Sequence, residues 1–518
     1  MAIRPLHAVT AVSLPRNVIS NASGFLISAA IAFVMAPFLI RTLGHARYGA
    51  WAVIGELTGY YGLLDLGMRG AVTILGARYL AQARNDRVRE LMSSAFWFLG
   101  AIAAAGFAGT LVLVLGVWPL PQSASISPQE FVPALIVMAF LVAAGLPLDI
   151  FAGILNSARR VDIPSAIELV GRVASALGIW LVVLAGGGLV AMSGVLMLVK
   201  LGVWFACGYM ALRLVEGISL RPACASKERL RELASFGSKT AVINCARLVT
   251  DRTDLIIIGL LFGVRWVVFY SIARLLIEYT ISMIGSLTLA FTAHFAHLHA
   301  GAQQEELCRL LSAGTRICAC LSLVAVALLL SFGRAFIGLW VGAEFITGPW
   351  TMRTDVVLAL LLIGFTPRLA QSLAWQVILA SQRVGGLTVA IAAESIAKLG
   401  LLLVIRSAYG LAGIAFTSVI PMLVTALIII PRQVLRVSGL TPVQYLRCFE
   451  RPAIVGVLVL TIGILVTLVW PPTSWAVLVV DASLTGMVAT VGVLTLGLTG
   501  DERRRMWALW RAVSVTFA

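Results

Sequence analysis

Fourteen long apolar stretches occupy almost the whole chain, and no soluble fold can bury them all. They lie at about 17–40, 48–66, 92–116, 131–156, 163–185, 189–212, 241–262, 265–290, 311–332, 355–380, 384–405, 411–431, 453–470 and 475–498. Most approach the roughly 20 residues that a helix needs to cross a bilayer core. Inside lipid a backbone group finds no water, so each stretch must satisfy its own hydrogen bonds as a helix. The residues are 60% hydrophobic and only 12% charged, where a soluble domain carries about 25% charged residues. The expected fold class is therefore an all-α polytopic membrane protein with about 14 transmembrane helices.

A net charge of +16 invites a nucleic-acid reading, but the excess sits in short loops between spans, so no nucleic-acid partner is expected. With the N-terminus (Arg4, Arg16) in the cytoplasm, about 26 of the 39 Lys and Arg residues fall in cytoplasmic connections and about 6 outside, the asymmetry that orients membrane proteins. The loop 67–91 carries Arg69, Arg78, Arg84, Arg87 and Arg89, while its external neighbour WPLPQSASISPQE has no Lys or Arg. Both termini are expected inside. The first stretch is too long for a signal h-region, and its pattern recurs in the second half. Cys224, Cys308 and Cys448 fall in cytoplasmic segments and Cys207, Cys245, Cys318 and Cys320 in spans, with no CxxC. That distribution argues against disulfides and zinc. His294, His297 and His299 cluster at a cytoplasmic helix end and read as solvated surface. No Walker motif, GxSxG or HExxH occurs, so neither an enzyme nor a cofactor is expected.

The order of the stretches repeats. ILNSARRVDIPSAIELVGR leads to LAGGGLVAMSGV, and later ILASQRVGGLTVAIAAESIAK leads to RSAYGLAGIAFTS. Arg159 and Arg160 match Arg383, and Gly188-Leu189 match Gly410-Leu411, at offsets of about 222–224. Six spans separate the matched pieces, so they run the same way through the membrane. This is the parallel repeat of two-lobed alternating-access carriers. The expected organisation is a six-helix lobe 1–213, a cytoplasmic linker 214–235, a second six-helix lobe 236–432, a cytoplasmic connection 433–452, an extra helix pair 453–498 and a basic cytoplasmic tail 499–518.

Charges within the spans are costly unless they face a partner or a cavity, at least about 2.5–3.5 kcal/mol at mid-bilayer. Four pairs are spaced i,i+4: Glu168–Arg172, Arg247–Asp251, Arg274–Glu278 and Glu394–Lys398. This spacing places opposite charges on one helix face. Each pair alone is equally a neutralised structural contact; as a set they suggest the lining of a polar cleft. Lys200, Arg252 and Arg368 have no opposite charge at i±3 or i±4. Surplus cation suits an anionic ligand, and guanidinium matches phosphate oxygens two at a time; snorkelling or an acid on another helix is the alternative. Glu56 and Asp149 are lone acids that could carry H⁺ or Na⁺, with capping or packing as the other reading.

Asn17, Asn21 and Gly24, Pro37 before RTLGHARYGAW, then YYGLLDLG, TDLIIIG, FYSIARLLIEY, FIGLWVG and YGLAGIA carry a resemblance in their order and spacing. From about Asn17 to Pro431 the chain resembles the polysaccharide (O-antigen type) flippases of the multidrug/oligosaccharidyl-lipid/polysaccharide exporter superfamily. The resemblance implies a MATE-like fold of two pseudo-symmetric six-helix lobes around a cationic cleft, in the bacterial cytoplasmic membrane. It implies movement of an undecaprenyl-pyrophosphate-linked oligosaccharide from the cytoplasmic to the external leaflet during cell-surface polysaccharide biosynthesis. Membrane lipids, a polysaccharide polymerase and glycosyltransferases are the partners it brings with it. Arg252, Arg274, Arg368 and Lys200 are then the candidates for the headgroup, while Asp65 and Asp254 read as structural. The last two spans depart from twelve-span members and are similar to the lipid II flippase branch. The rivals are a multidrug extruder, which would want acids in the cleft, and a membrane glycosyltransferase or ligase, for which Glu344 and Asp355 are the external acids. A non-transporting envelope scaffold is the third.

Overall fold

A computed structural model describes residues 10–65, 67–116, 127–300, 304–381, 385–405, 409–500 and 502–504. The loop 117–126, Arg383, the tail from 505, and the side chains of Asn17, Asn21, Arg247, His294, His297 and His299 lie outside the described residues. Among the described residues the structure is helical, with no strand. Among these described residues, eleven helices are long and apolar enough to cross a membrane, or twelve if one bent pair forms a single span.

Two features separate this number from fourteen apolar stretches. The first two stretches are two helices, taken together as α1 (Thr10–Gly59), that follow one another without a loop across a kink at Gly44, whose φ of 77° and ψ of 167° are not helical. An L side chain with a Cβ is strained at such a φ, so glycine is required where the direction changes. The seventh stretch is the inner part of α8 (Lys227–Leu261), which carries Arg247, Asp251, Arg252 and Asp254 and is too charged to qualify on apolarity alone.

The chain divides into two compact units, one of residues 30–271 and the other of residues 1–29 and 272–518. The first contains most of α1, then α2 (Met68–Ala81), α3 (Asn85–Gly116), α4 (Pro128–Leu148), α5 (Ile150–Ser157), α6 (Asp162–Leu184), α7 (Leu189–Leu214), α8 and the start of α9 (Val264–Ala300). Its core joins Leu91, Met92 and Leu99 of α3 to Ala139 of α4, Ile150 and Ile154 of α5, and Cys207 of α7. Gly49 of α1 lies directly on the backbone of α9: a Cβ there would stand 1.9 Å from the Val264 carbonyl oxygen. Small residues are what let membrane helices approach this closely.

The segment 214–235 is docked along α3 rather than spanning open solvent. The Trp97 indole N–H donates to the Leu220 carbonyl at 2.8 Å, and Ser93 donates to that of Arg221 at 2.6 Å. Arg229, 5% exposed, is ringed by Glu90, Glu228, Glu232 and Tyr79. Burial, then the hydrogen bond with Glu232, pushes the Tyr79 phenol above its ordinary 10.0.

The second unit is built on α10 (Gln304–Trp340), α11 (Thr354–Ala370), α12 (Ser372–Ala380), α13 (Gly385–Ile405), α14 (Gly410–Val424), α15 (Ile430–Ser438), α16 (Pro442–Val469) and α17 (Trp475–Gly492). The extra helix pair is integral to it. Gly456 and Gly463 of α16 lie against Leu323 and Ser331 of α10, where a Cβ would come within 2.9 and 2.4 Å. Phe205, Leu403, Val404 and Val469, each more than three-quarters exposed, belong to an apolar outer surface suited to lipid.

The repeat has matching local structure in the two units. α4 ends one residue after Pro147 and α5 restarts beyond Asp149; α11 ends after Pro367 and α12 restarts beyond Gln371, with a bend of 50°. Helix breaks of this kind follow proline, which withholds a donor and crowds the preceding turn. The two Gly-Leu turns open α7 and α14. Gly188 leaves room for Glu130, whose carboxylate accepts from the Leu189 N–H at 3.0 Å and caps α7, and Gly410 (φ 56°) fits against Thr351 and Met352.

Candidate functional site: ion pairs inside the helices

Each cation that the sequence leaves without a neighbouring acid finds one on another helix. On α8 the Arg252 guanidinium donates to the Glu56 carboxylate of α1 at 3.0 Å. It lies against Gly59, one turn beyond Glu56, where a Cβ would meet its Nη1 at 3.0 Å. The side chain of Glu56 is 11% exposed and that of Arg252 42%. The acid is thus nearly enclosed, while the base keeps an open edge; a guanidinium has five donors, more than one carboxylate can use. Two hydroxyl contacts fix the helices around it. Tyr60 and Thr253 share a hydrogen bond of 2.8 Å, and Tyr270 of α9 donates to Asp254 at 2.8 Å.

Lys200 of α7 pairs with Glu168 of α6 at 2.5 Å, both side chains being over one-third exposed. Arg172, expected one turn along from Glu168, is exposed. Asp149 is not a lone acid. It accepts from Arg69 Nη1 at 2.6 Å and from the Trp204 indole at 2.8 Å, and Arg69 also bonds Asp65 at 3.2 Å. Trp204 reaches it because Gly145 leaves space: a Cβ there would stand 2.9 Å from the indole ring. Asp65, Arg69, Asp149 and Trp204 thus form a chain of charge-assisted contacts that fixes the α4–α5 break, a packing arrangement.

In the second unit Arg274 and Glu278 of α9 bond at 3.0 Å, as the i,i+4 spacing suggests. Arg368, in the last turn of α11, donates to Glu394 of α13 at 3.2 Å. The Glu394 side chain is 1% exposed, and Lys398, one turn further along α13, is equally buried. At the break, Gln371 donates to the carbonyls of Pro367 and Ala426 and accepts from Tyr445 of α16 at 3.0 Å. Asp251 is half-buried on α8, and its expected partner Arg247 has its side chain outside the described residues.

The expectation of surplus cation is therefore corrected for Arg252, Arg368 and Lys200, and that of lone acids for Glu56 and Asp149. The i±3, i±4 rule sees only one helix, whereas these bonds join residues 196, 26, 32 and 80 positions apart. The Tyr60–Thr253 and Tyr270–Asp254 bonds, missed as pairs, sit inside YYGLLDLG, TDLIIIG and FYSIARLLIEY, and Gly44 and Gly49 sit inside RTLGHARYGAW. The motifs were the available signal.

Long apolar helices whose interior charges are matched across helices define a multi-pass membrane protein. Similar solved structures agree. The lipid II flippase MurJ in an inward closed conformation has a TM-score of 0.67 at 12% identity, covering 90% of this chain and 97% of that one. An inward-facing multidrug resistance MATE family transporter of the MOP superfamily has 0.62 at 13%, covering 82% and 98%. A variant of the Vibrio cholerae MATE transporter VcmN has 0.59 at 12%, covering 84% and 99%. The chain belongs to the polysaccharide biosynthesis protein family, whose sequence profile matches residues 38–347. No curated protein matches it by sequence.

Proposed function

We propose that the protein is an alternating-access flippase for a polyprenyl-pyrophosphate-linked oligosaccharide. It carries the lipid from the cytoplasmic to the outer leaflet of a bacterial cytoplasmic membrane, with both termini in the cytoplasm and two six-helix lobes, 1–213 and 236–432, as the moving parts. Family membership supports the polysaccharide pathway, and the fold supports transport. The observation that carries the headgroup chemistry is Arg252: a guanidinium inside the membrane helices, held by Glu56 with 42% of its side chain accessible.

A pyrophosphate taken into hydrocarbon without counter-charge costs several kcal/mol per ion. A bare cation waiting in the same place would be as costly, and the structure avoids it by storing the base as an ion pair. Headgroup binding then exchanges partners, since phosphate offers the guanidinium two oxygens in its own geometry. Glu56, displaced, needs H⁺ or Na⁺, which makes it the natural point for ion coupling. Lys200 in the same unit, and Arg274 and Arg368 in the other, are further cations of the same kind. The lipid tail stays in the bilayer. A lipid II-type substrate is the second reading, favoured by the integral α16–α17 pair.

The test is flipping in proteoliposomes loaded with either a lipid-linked polysaccharide repeat unit or lipid II, which also separates the two readings. Arg252→Ala loses most transport and Arg252→Lys keeps part. Glu56→Gln/Arg252→Gln, which strands no charge, keeps membrane abundance and loses transport. Parental transport by that double variant would overturn the headgroup role of Arg252.

A further inference from the structure

Among the described residues, a carboxyl group on α17 takes part in none of the contacts above. α17 turns Leu478, Asp481, Thr485 and Ala489 inward, each 6% exposed or less, and Val479, Val480, Leu484 and Met487 outward, each more than half exposed. The inward stripe has the i, i+3, i+4 spacing of a packing face, yet its centre is a carboxyl group. Asp481 lies six residues past Trp475, about 9 Å along the helix at 1.5 Å per residue.

The surroundings are oxygen-bearing and uncharged. Ala489 packs with Ala327 of α10 and with Val455 and Val459 of α16. One turn on in each helix come Thr485, Ser331 and Gly463, and Gly463 lies against the Ser331 hydroxyl. Asp481 Oδ2, Thr485 Oγ1 and Ser331 Oγ have no hydrogen-bond partner among the described residues. The charged groups of the helices packed on α17 are engaged elsewhere or lie at helix ends. On α10, Arg316 pairs with Glu502 at 2.8 Å, Arg334 with Asp355 at 3.8 Å, and Glu305, Glu306 and Arg309 sit in its first turns. On α16, Arg447, Glu450 and Arg451 precede the membrane segment, and Arg451 donates to the Leu498 carbonyl.

We propose that Asp481, Thr485 and Ser331 form a monovalent-cation site within the α10–α16–α17 packing. A buried carboxylate needs a counter-charge, and among the described residues no side chain is seen to supply one. H⁺ on the carboxylate, or Na⁺ held by the carboxylate and the two hydroxyl oxygens, neutralises the group and gives the orphaned atoms a partner; oxygen donors suit a hard cation. The site is separate from Arg252 and Glu56 and stands whatever lipid is carried. It places an ion inside the extra helix pair.

The test uses the full chain in lipid nanodiscs. Radioactive Na⁺ binding is measured with choline as the replacing cation, and the carbonyl stretch of protonated carboxyls is followed by infrared spectroscopy at neutral pH. A Na⁺ site gives one saturable binding event, abolished by Asp481→Asn and weakened by Thr485→Val. A proton site gives no Na⁺ binding but a protonated-carboxyl band that Asp481→Asn removes and Thr485→Val shifts. Absence of both signals in the parental protein, or their persistence in Asp481→Asn, overturns the proposal. If Asp481→Asn does not accumulate, Thr485→Val decides: a parental Na⁺ affinity and an unshifted band overturn it.

Discussion

Arg368→Ala isolates the energetics of an intramembrane ion pair. The guanidinium and the Glu394 carboxylate are 3.2 Å apart, with side-chain exposures of 20% and 1%. At an effective dielectric of about 20 their gross attraction is about 5 kcal/mol. Removing Arg368 leaves the carboxylate with no route to water, and its Oε2 already lacks a hydrogen-bond partner among the described residues. The expected loss is about 3–5 kcal/mol, the cost of stranding one member of a buried pair. Arg368→Ala/Glu394→Gln removes the stranded charge and should recover about 1–3 kcal/mol of that. Glu394→Gln alone should be milder than Arg368→Ala, because Arg368 at the end of α11 can turn toward water. The assay is equilibrium unfolding of the purified chain in mixed micelles, with membrane abundance as a second measure. If the two single effects add to within about 0.5 kcal/mol in the double variant, the residues are not coupled and the reasoning fails.

Gly49→Ala should sharply reduce folded protein, because its Cβ would stand 1.9 Å from the Val264 oxygen and backbone cannot rotate aside. Gly55→Ala, in open space on the same helix, should be neutral or stabilising by up to about 1 kcal/mol; membrane abundance of both checks this. The docked 214–235 segment should loosen at alkaline pH. A phenol whose pKa is raised by folding contributes its stability below its ordinary 10.0 and loses it as pH rises through the higher folded value, so protease cleavage of the segment should increase above about pH 10, and Tyr79→Phe should remove that step. Orientation is checked by cysteine labelling from outside, where Ala124→Cys should react and Arg87→Cys should be protected; the reverse overturns the topology.

Apolar runs, their repeat and the Lys/Arg asymmetry between loops were legible in the sequence because each is a local property. A membrane helix needs only its own residues to satisfy its backbone, and glycine and proline announce the turns. Thus the Gly188-Leu189 and Gly410-Leu411 matches fall on helix starts, and the two proline-linked breaks occur at corresponding places in the two repeats. The Arg274–Glu278 bond was visible for the same reason, as both groups share one helix.

Tertiary structure decided the partners of the remaining charges. A Coulomb interaction depends on distance in space, and helices bring together residues that the chain separates by 26 to 196 positions. Arg252 looked uncompensated until α1 supplied Glu56, Asp149 looked alone until Arg69 and Trp204 met it, and a linker of basic residues became a docked segment around Arg229. Asp481 is the converse case. Its sequence neighbourhood reads as a plain apolar span, and only the packing of α10, α16 and α17 shows a carboxyl group turned inward among hydroxyls. The sequence by itself determined that these helices must form and lie in lipid; the fold determined which charge neutralises which, because burial and proximity arise only when separate helices meet.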